Sequence, residues 1–543
     1  MINILNIDFK KVNFFHFLLI LLPVSLISGP LLPDLIVTFI SFYFFFVFYV
    51  KKNFKLTNSI KIFIKFFLIF YIIAIISSIN SIEPIVSLKS SVLYIRFLFF
   101  VLGTYYLLKN NLNIINILSF VILISISFLS FDATLQYFTG LNIFRVEYFG
   151  NRPSSLFGDE LILGSYVARL FPLGFIYIFS LTEKNKKILF FAYFLICLLA
   201  VIISQERTAF IQFIFAHFLF FLLIKEVRKI YLYLFFVTTI FIFIVLLRSP
   251  TIFDRLVSHT LVQSIKGNQI YLFSERHTDH ILTAINMIKA KPLIGHGNKS
   301  FRFLCNKPKY TTENLIEDRQ YFFSTTDQII SVKFERSGNL TLVFSKELRN
   351  YPLWQVEKIY IPLKVKIKNE YLKYIELEEL EKTKNILSTE GTVSLVSNSN
   401  HRHSINYMDN TTNIHEQINP KIISYLPSIK YNVKKDEKML KLAYEHKNGC
   451  NTHPHHLFVQ VFSENGLLNF AIIVLLLFSI IFILIKENKN KNIKNYNIKC
   501  ALLVMGLVTL LPLVPSGNFF NNWLSIAYYL PVGLYFVISE KID

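Results

Sequence analysis

Apolar positions along this chain fall mostly in long unbroken runs, not in the stripes of an amphipathic helix or a half-buried strand. Runs near the length needed to cross about 30 Å of hydrocarbon occur twelve times, near 12–29, 31–50, 60–79, 88–108, 114–138, 160–180, 187–204, 208–224, 230–248, 466–485, 499–514 and 523–539. The pattern predicts an all-α polytopic membrane protein with about 12 transmembrane helices. Nine of them form an N-terminal bundle over 1–248, and three follow in a C-terminal part over 456–543. Between them, 249–455 is a large polar loop whose pattern changes twice. Residues 274–292 carry Ile281, Ala284, Ile285 and Ile288 on one helical face and stop at Pro292. Further on, "QIISVKFERSGNLTLVFSKEL" alternates on both sides of Ser337-Gly338-Asn339, a hairpin signal, and "KIYIPLKVKI" alternates again. A β-rich insertion is expected over about 309–440.

Composition agrees: 53% of the 543 residues are hydrophobic and 57 are Phe. The net charge of +21 would suit a nucleic-acid partner, but much of it lies in short loops between apolar runs. Those loops orient the bundle. One set holds Lys51-Lys52 with Lys55, Lys109, Lys184 with Lys186-Lys187, Lys225 with Arg228-Lys229, and the Lys-rich stretch 486–499. The alternate set, 80–87, 140–159, 204–207 and 515–522, has no Lys. Positive charge is retained in the cytoplasm, so both termini are expected there and 249–455 outside, in the periplasm of a cell with two membranes. The first run lacks a small-residue cleavage site and reads as a membrane helix, not a removed signal.

Cys305 and Cys450 both fall outside on this topology, where disulfides persist, and they bracket the β-rich region; a bridge between them is expected. The outside loops use Arg: Arg152 in "NRPSSLFGDE", Arg207 in "SQERTAF" and Arg276 in "SERHTDHIL". Guanidinium binds phosphate bidentately, so the three together suggest a clamp for an anionic lipid diphosphate; singly, each reads as a headgroup anchor or loop ion pair. Three of the 13 histidines crowd into "NTHPHHLFVQVFSENGLL", next to Cys450. Zinc accepts these ligand types, but Cys450-x-x-His453-x-His455-His456 matches no closed zinc spacing. A neutral imidazole can also take a proton from a sugar hydroxyl, or simply hydrogen-bond loop carbonyls.

These segments resemble the O-antigen ligase and O-antigen polymerase group of bacterial membrane glycosyltransferases. That group carries a His, usually an Asn, nine residues and a Gly; here these are His455, His456 and Gly466, with Glu464 at the acidic position before the Gly. "NRPSSLFGDELILGSY", "SQERTAF" and "SERHTDHILTAINMIKAKPLIGHG" resemble its other segments, in the same order. Two features depart from the pattern: His456 replaces the usual Asn, and the β-rich insertion exceeds the usual external loop.

The resemblance implies a class C-type glycosyltransferase that takes its glycan from an undecaprenyl-diphosphate donor at the outer face of the inner membrane, with no metal and no cofactor. Carried over by position, His455 would be the general base. Arg207 and Arg276 would bind the diphosphate, with Arg152 as a third cation. His456, Glu464 and Gly466 would support. An O-antigen ligase moving the glycan to lipid A-core is the leading expectation, and a polymerase extending it on the carrier is the alternative. A multi-span transporter or flippase is the reading of another class, and would use Arg96, Arg169 or His217 within the spans.

Overall fold

The computed structural model describes residues 12–50, 56–147, 152–158, 160–258, 260, 272–305, 307, 309–310, 451–489 and 495–540, together with the backbone of short strands between 265 and 430. The side chains of Glu183, Asp254, Glu275 and Arg276 fall outside this set. The helices are α1 (Phe14–Ser25), α2 (Leu31–Val50), α3 (Asn58–Ile79), α4 (Pro84–Val92), α5 (Arg96–Lys109), α6 (Asn113–Thr139), α7 (Leu163–Phe179), α8 (Glu183–Ser204), α9 (Arg207–Leu223), α10 (Arg228–Arg248), α11 (Glu275–Ala290), α12 (Leu457–Lys489), α13 (Tyr496–Thr509) and α14 (Asn522–Glu540). Among the described residues seven helical stretches are long and apolar enough to cross a membrane, α4 and α5 counting as one through the 3₁₀ turn Leu93–Ile95. Four more, α1, α7, α9 and α13, are apolar but shorter.

Local signals set the helix ends. Asn13 and His16 cap α1 reciprocally, each side chain accepting from the other's backbone N–H. Thr57 caps α3 through Ile60 N, and α6 stops at Gly140, whose φ of 81° is open to glycine at no steric cost. In α2 the Ile36, Val37, Ile40 and Phe44 side chains are buried while Phe39, Phe42, Phe45 and Phe46 face outward. Acyl chains solvate such an outer face at no cost, so close packing has to hold the helices together. Gly103 of α5 supplies it: a Cβ there would stand 2.8 Å from Ile40 Cγ2.

Each of the three ionisable groups that a transporter would use has a partner within the bundle, although Arg96 Nε, Arg169 Nε and His217 Nε2 are buried without a hydrogen bond among the described residues. Arg96 pairs with Asp34 at 2.7 Å and donates to Asn522 Oδ1 at 2.6 Å, Arg169 Nη1 donates to Ser165 O at 3.3 Å, and His217 Nδ1 lies 2.7 Å from the Tyr231 hydroxyl. At one end of the bundle Lys109 meets Glu540 at 2.6 Å and His16 Nε2 meets Leu107 O at 2.8 Å, so the described ends of the chain lie together.

Two compact units are present. The helical unit includes Met287–Phe301 and His453–Asp543 as well as the N-terminal helices. In the second unit the strands Gln320–Thr325, Gln328–Phe334, Leu340–Val343, His403–Met408, Glu390–Ser397 and Lys358–Pro362 pair in that spatial order, all antiparallel. Residues 335–339, where the hairpin turn was expected, lie outside the described residues. Cys305 is disulfide-bonded, whereas Cys197 and Cys500 are free. Cys450, its expected partner, lies outside the described residues.

Candidate active site

The span expected over 466–485 begins earlier, at Leu457, so that 457–465 form the first turns of α12, and their polar side chains are buried. Four of them, Gln460, Ser463, Glu464 and Asn465, are fully buried and hydrogen-bonded, which offsets the cost of their desolvation. Gln460 Nε2 donates to Glu464 Oε2 and to Asn518 Oδ1, both at 3.0 Å, while its Oε1 accepts from Phe519 N at 2.9 Å. Glu464 Oε1 accepts from Phe301 N at 3.2 Å. Asn465 Nδ2 donates to Asn298 Oδ1 at 2.8 Å, and Asn298 Nδ2 donates to Ser91 Oγ at 2.7 Å.

Gly466 interrupts α12 with φ 78° and ψ −176°, and there the turn that follows α11 docks. Leu467 N donates to Pro292 O at 2.9 Å, His296 N to Ser463 O at 3.1 Å and Gly297 N to Glu464 O at 2.7 Å. The approach is so close that a Cβ on Gly466 would fall 2.1 Å from Leu293 O, and one on Gly295 2.5 Å from Glu464 O. The spacing between the histidine pair and its glycine therefore has a mechanical meaning. It is the length of helix that joins the imidazoles to the kink where Pro292–Gly297 locks on.

At the head of α12 the two histidines take different environments. Val459 N donates to His456 Nδ1 at 3.3 Å, so Nδ1 is unprotonated and Nε2 carries the proton toward Pro512 O, 2.9 Å away. Both ring nitrogens are engaged, and burial holds this imidazole below its usual pKa. His456 thus caps the helix, as a short amide side chain would. His455 has φ 53°, a left-handed backbone unusual outside glycine, and its carbonyl accepts from Ser516 N at 2.9 Å. Its ring lies 4.1 Å from that of His453 and 5.3 Å, edge to face, from that of His277. His277 Nδ1 is 2.7 Å from Ser274 Oγ at the start of α11. Sequence reading passed over His277 in favour of its neighbour Arg276; an imidazole one residue from a candidate cation was the available signal.

The arginines form a second group. Arg152 lies beside Arg255, Glu206 and Arg207; burial first, and Arg255 next, lower its pKa to about 10. Arg255, in the turn Asp254–Ser258, was not singled out from the sequence. Arg207 opens α9, with Nη1 3.5 Å from Thr260 Oγ1. Glu206 stands between two helices: its carboxylate accepts from Gly164 N at 2.7 Å, Ser165 N at 3.1 Å and Ser165 Oγ at 2.7 Å, capping α7. Burial raises its pKa, opposed by those hydrogen bonds and by Arg152. Arg152 and Arg207 are thus brought together around one carboxylate with Arg255. The third predicted cation, Arg276, lies in the first turn of α11, its side chain outside the described residues.

Among the described residues no three His, Cys, Asp or Glu side chains gather so as to hold a metal ion. What the geometry offers is the His455 imidazole beside those of His453 and His277, and a cluster of guanidinium groups. Residues 192–330, about a quarter of the 543, match the model of the O-antigen ligase family. The match takes in Arg207, Arg255 and His277 and stops before His455. No curated protein and no solved structure matches the chain.

Proposed function

From the match of residues 192–330 to the O-antigen ligase family, we infer that this membrane protein is a ligase-type glycosyltransferase, which moves a glycan from undecaprenyl diphosphate to lipid A-core at the periplasmic face of the inner membrane. The twelve apolar runs read from the sequence cross the bilayer in a class C-type arrangement with both termini in the cytoplasm, and the strand-bearing segment over about 309–440 is a periplasmic insertion. The observation that carries the chemistry is the division of labour at the head of α12: His456 spends both nitrogens on structure, which leaves His455 as the base.

In the reaction His455 accepts the proton of the acceptor hydroxyl as that oxygen bonds to the anomeric carbon. The bond from this carbon to the diphosphate oxygen breaks, and its electron pair leaves with the lipid diphosphate. Arg152 and Arg207, with Arg276 by the resemblance of its segment, are assigned to the charge that develops there, where fixed cations are most effective. The residues themselves supply base and cations, so the proposal invokes no metal or cofactor. Polymerisation on the carrier is the second reading, since the family match does not separate the two.

The test is to replace His455 and His456 by Ala separately and examine lipopolysaccharide on gels. The ligase reading expects His455→Ala to remove all polymer from lipid A-core while long carrier-linked chains persist. A single repeat unit on lipid A-core identifies a polymerase, and normal lipopolysaccharide from His455→Ala refutes the catalytic assignment.

A further inference from the structure

The loop that carries Arg152 is built on two polar side chains near the end of α6. Asp132 and Gln136 are one helical turn apart, on the same face of an otherwise apolar helix, and both are completely buried. A buried carboxylate and a buried amide are retained only where they are hydrogen-bonded. All five hydrogen bonds that they make among the described residues go to the loop. Asp132 Oδ1 accepts from Ile143 N at 2.7 Å and Oδ2 from Ser155 Oγ at 2.5 Å. Gln136 Oε1 accepts from Ser154 N at 3.1 Å and Ser155 N at 2.8 Å, and its Nε2 donates to Val146 O at 3.3 Å.

These bonds reach both arms of the loop, Asn142–Val146 before Arg152 and Ser154–Ser155 after it. Asn142 ties the arms together, with Nδ2 on Ser155 O at 3.2 Å and Oδ1 accepting from Phe144 N and Val146 N. Ser155 is held at φ 53°, a backbone state that a serine keeps only when its surroundings impose it. From the clamped Ser154 N, a single proline leads back to Arg152, and Pro153 has a fixed φ. The backbone link between the socket and the residue that carries the guanidinium is therefore short and stiff.

We propose that Asp132 and Gln136 are positioning residues that set the Arg152 guanidinium for the lipid diphosphate; this rests on the reading of Arg152 given above. The test is a double-mutant cycle on the purified full-length protein in detergent, with radiolabelled undecaprenyl diphosphate as probe. A charge-assisted hydrogen bond lost from a binding site weakens binding about tenfold or more. Arg152→Ala is expected to do so, Gln136→Ala to do nearly as much, and the double variant to bind no worse than Arg152→Ala alone, because residues acting through one group are not additive. Gln136→Glu keeps the acceptor for Ser154 N and Ser155 N and is expected to bind within about twofold of the parent; this rescue distinguishes positioning from a folding defect. If Arg152→Ala binds normally, the reading of Arg152 falls. If Arg152→Ala weakens binding but Gln136→Ala is silent, or its effect adds fully to that of Arg152→Ala, the positioning role falls.

Discussion

Replacing Gly466 by Ala tests the lock between α12 and the turn after α11. The site has φ 78° and ψ −176°, a region essentially confined to glycine that costs an L residue about 1–3 kcal/mol. The new Cβ would also lie 2.1 Å from Leu293 O and 2.5 Å from Leu293 C, both backbone atoms that cannot swing aside. Relief requires the turn to withdraw, which strains Leu467 N to Pro292 O and Gly297 N to Glu464 O, 2.9 and 2.7 Å long. Each buried pair left unmade costs about 1–3 kcal/mol. The total is about 3–9 kcal/mol, to be read as a drop of several degrees in the melting temperature of the detergent-purified protein followed by a thiol-reactive or scattering probe. Gly506→Ala is the control: a Cβ there meets one flexible atom, Ile480 Cδ1, at 3.3 Å, so stability should be kept or slightly raised. A Gly466→Ala variant that melts with the parent and retains its glycan transfer would refute the lock.

Further outcomes follow from the same geometry. His456→Asn should keep transfer activity and most of the stability, because an amide oxygen can accept from Val459 N, whereas His456→Ala should cost about 1 kcal/mol for the lost cap, measured as a melting shift. Burial lowers the His456 pKa, so the unfolded chain binds its proton more readily. That contribution to stability is present above the unfolded value of about 6.5 and is lost as pH falls below it; melting curves between pH 7 and 5 should decline less steeply in His456→Asn than in the parent. Glu206→Ala leaves Gly164 N and Ser165 N without their acceptor, and should lower stability by about 1–3 kcal/mol as well as weakening undecaprenyl-diphosphate binding; Glu206→Gln should fall between. Cys305 should resist maleimide labelling until reductant is added, and Cys450→Ser should make it reactive without reduction; labelling of Cys305 in the untreated parent would contradict its disulfide.

The membrane class and the position of most helices were legible because apolar runs in lipid need no periodicity. The run predicted at 31–50 is α2, Leu31–Val50, and the external helix predicted at 274–292 is Glu275–Ala290. Where the reading slipped, polar residues buried by tertiary contacts were the cause. Gln460, Ser463, Glu464 and Asn465 look like loop in one dimension, yet they are helix because Asn518, Phe519, Asn298 and the turn at His296–Gly297 complete their hydrogen bonds. The span expected at 88–108 begins earlier, at Pro84, and passes through a 3₁₀ turn before Arg96, a change of helix type that apolarity does not report.

The candidate site was legible by residue type but not by arrangement. Crowded histidines and Lys-free loops drew attention to His455, Arg152 and Arg207. Separating His455 from His456 needed the helix cap, seen only once Val459 N and Pro512 O were placed. Arg255 had nothing to set it apart, and His277 only its place next to Arg276, until the chain brought them beside Arg152 and His455. Asp132 and Gln136 read as polar exceptions in an apolar helix, and their partners lie 10 to 23 residues further on, in a loop without regular periodicity.

The most direct measurement of the central claim is transfer by purified His455→Gln protein, supplied with undecaprenyl-diphosphate-linked glycan and lipid A-core, with donor binding followed in the same preparation. The account predicts that donor binds as in the parent while glycan appearance on lipid A-core falls at least a hundredfold, the range of a lost general base. Transfer at the parental rate with donor binding intact would contradict it.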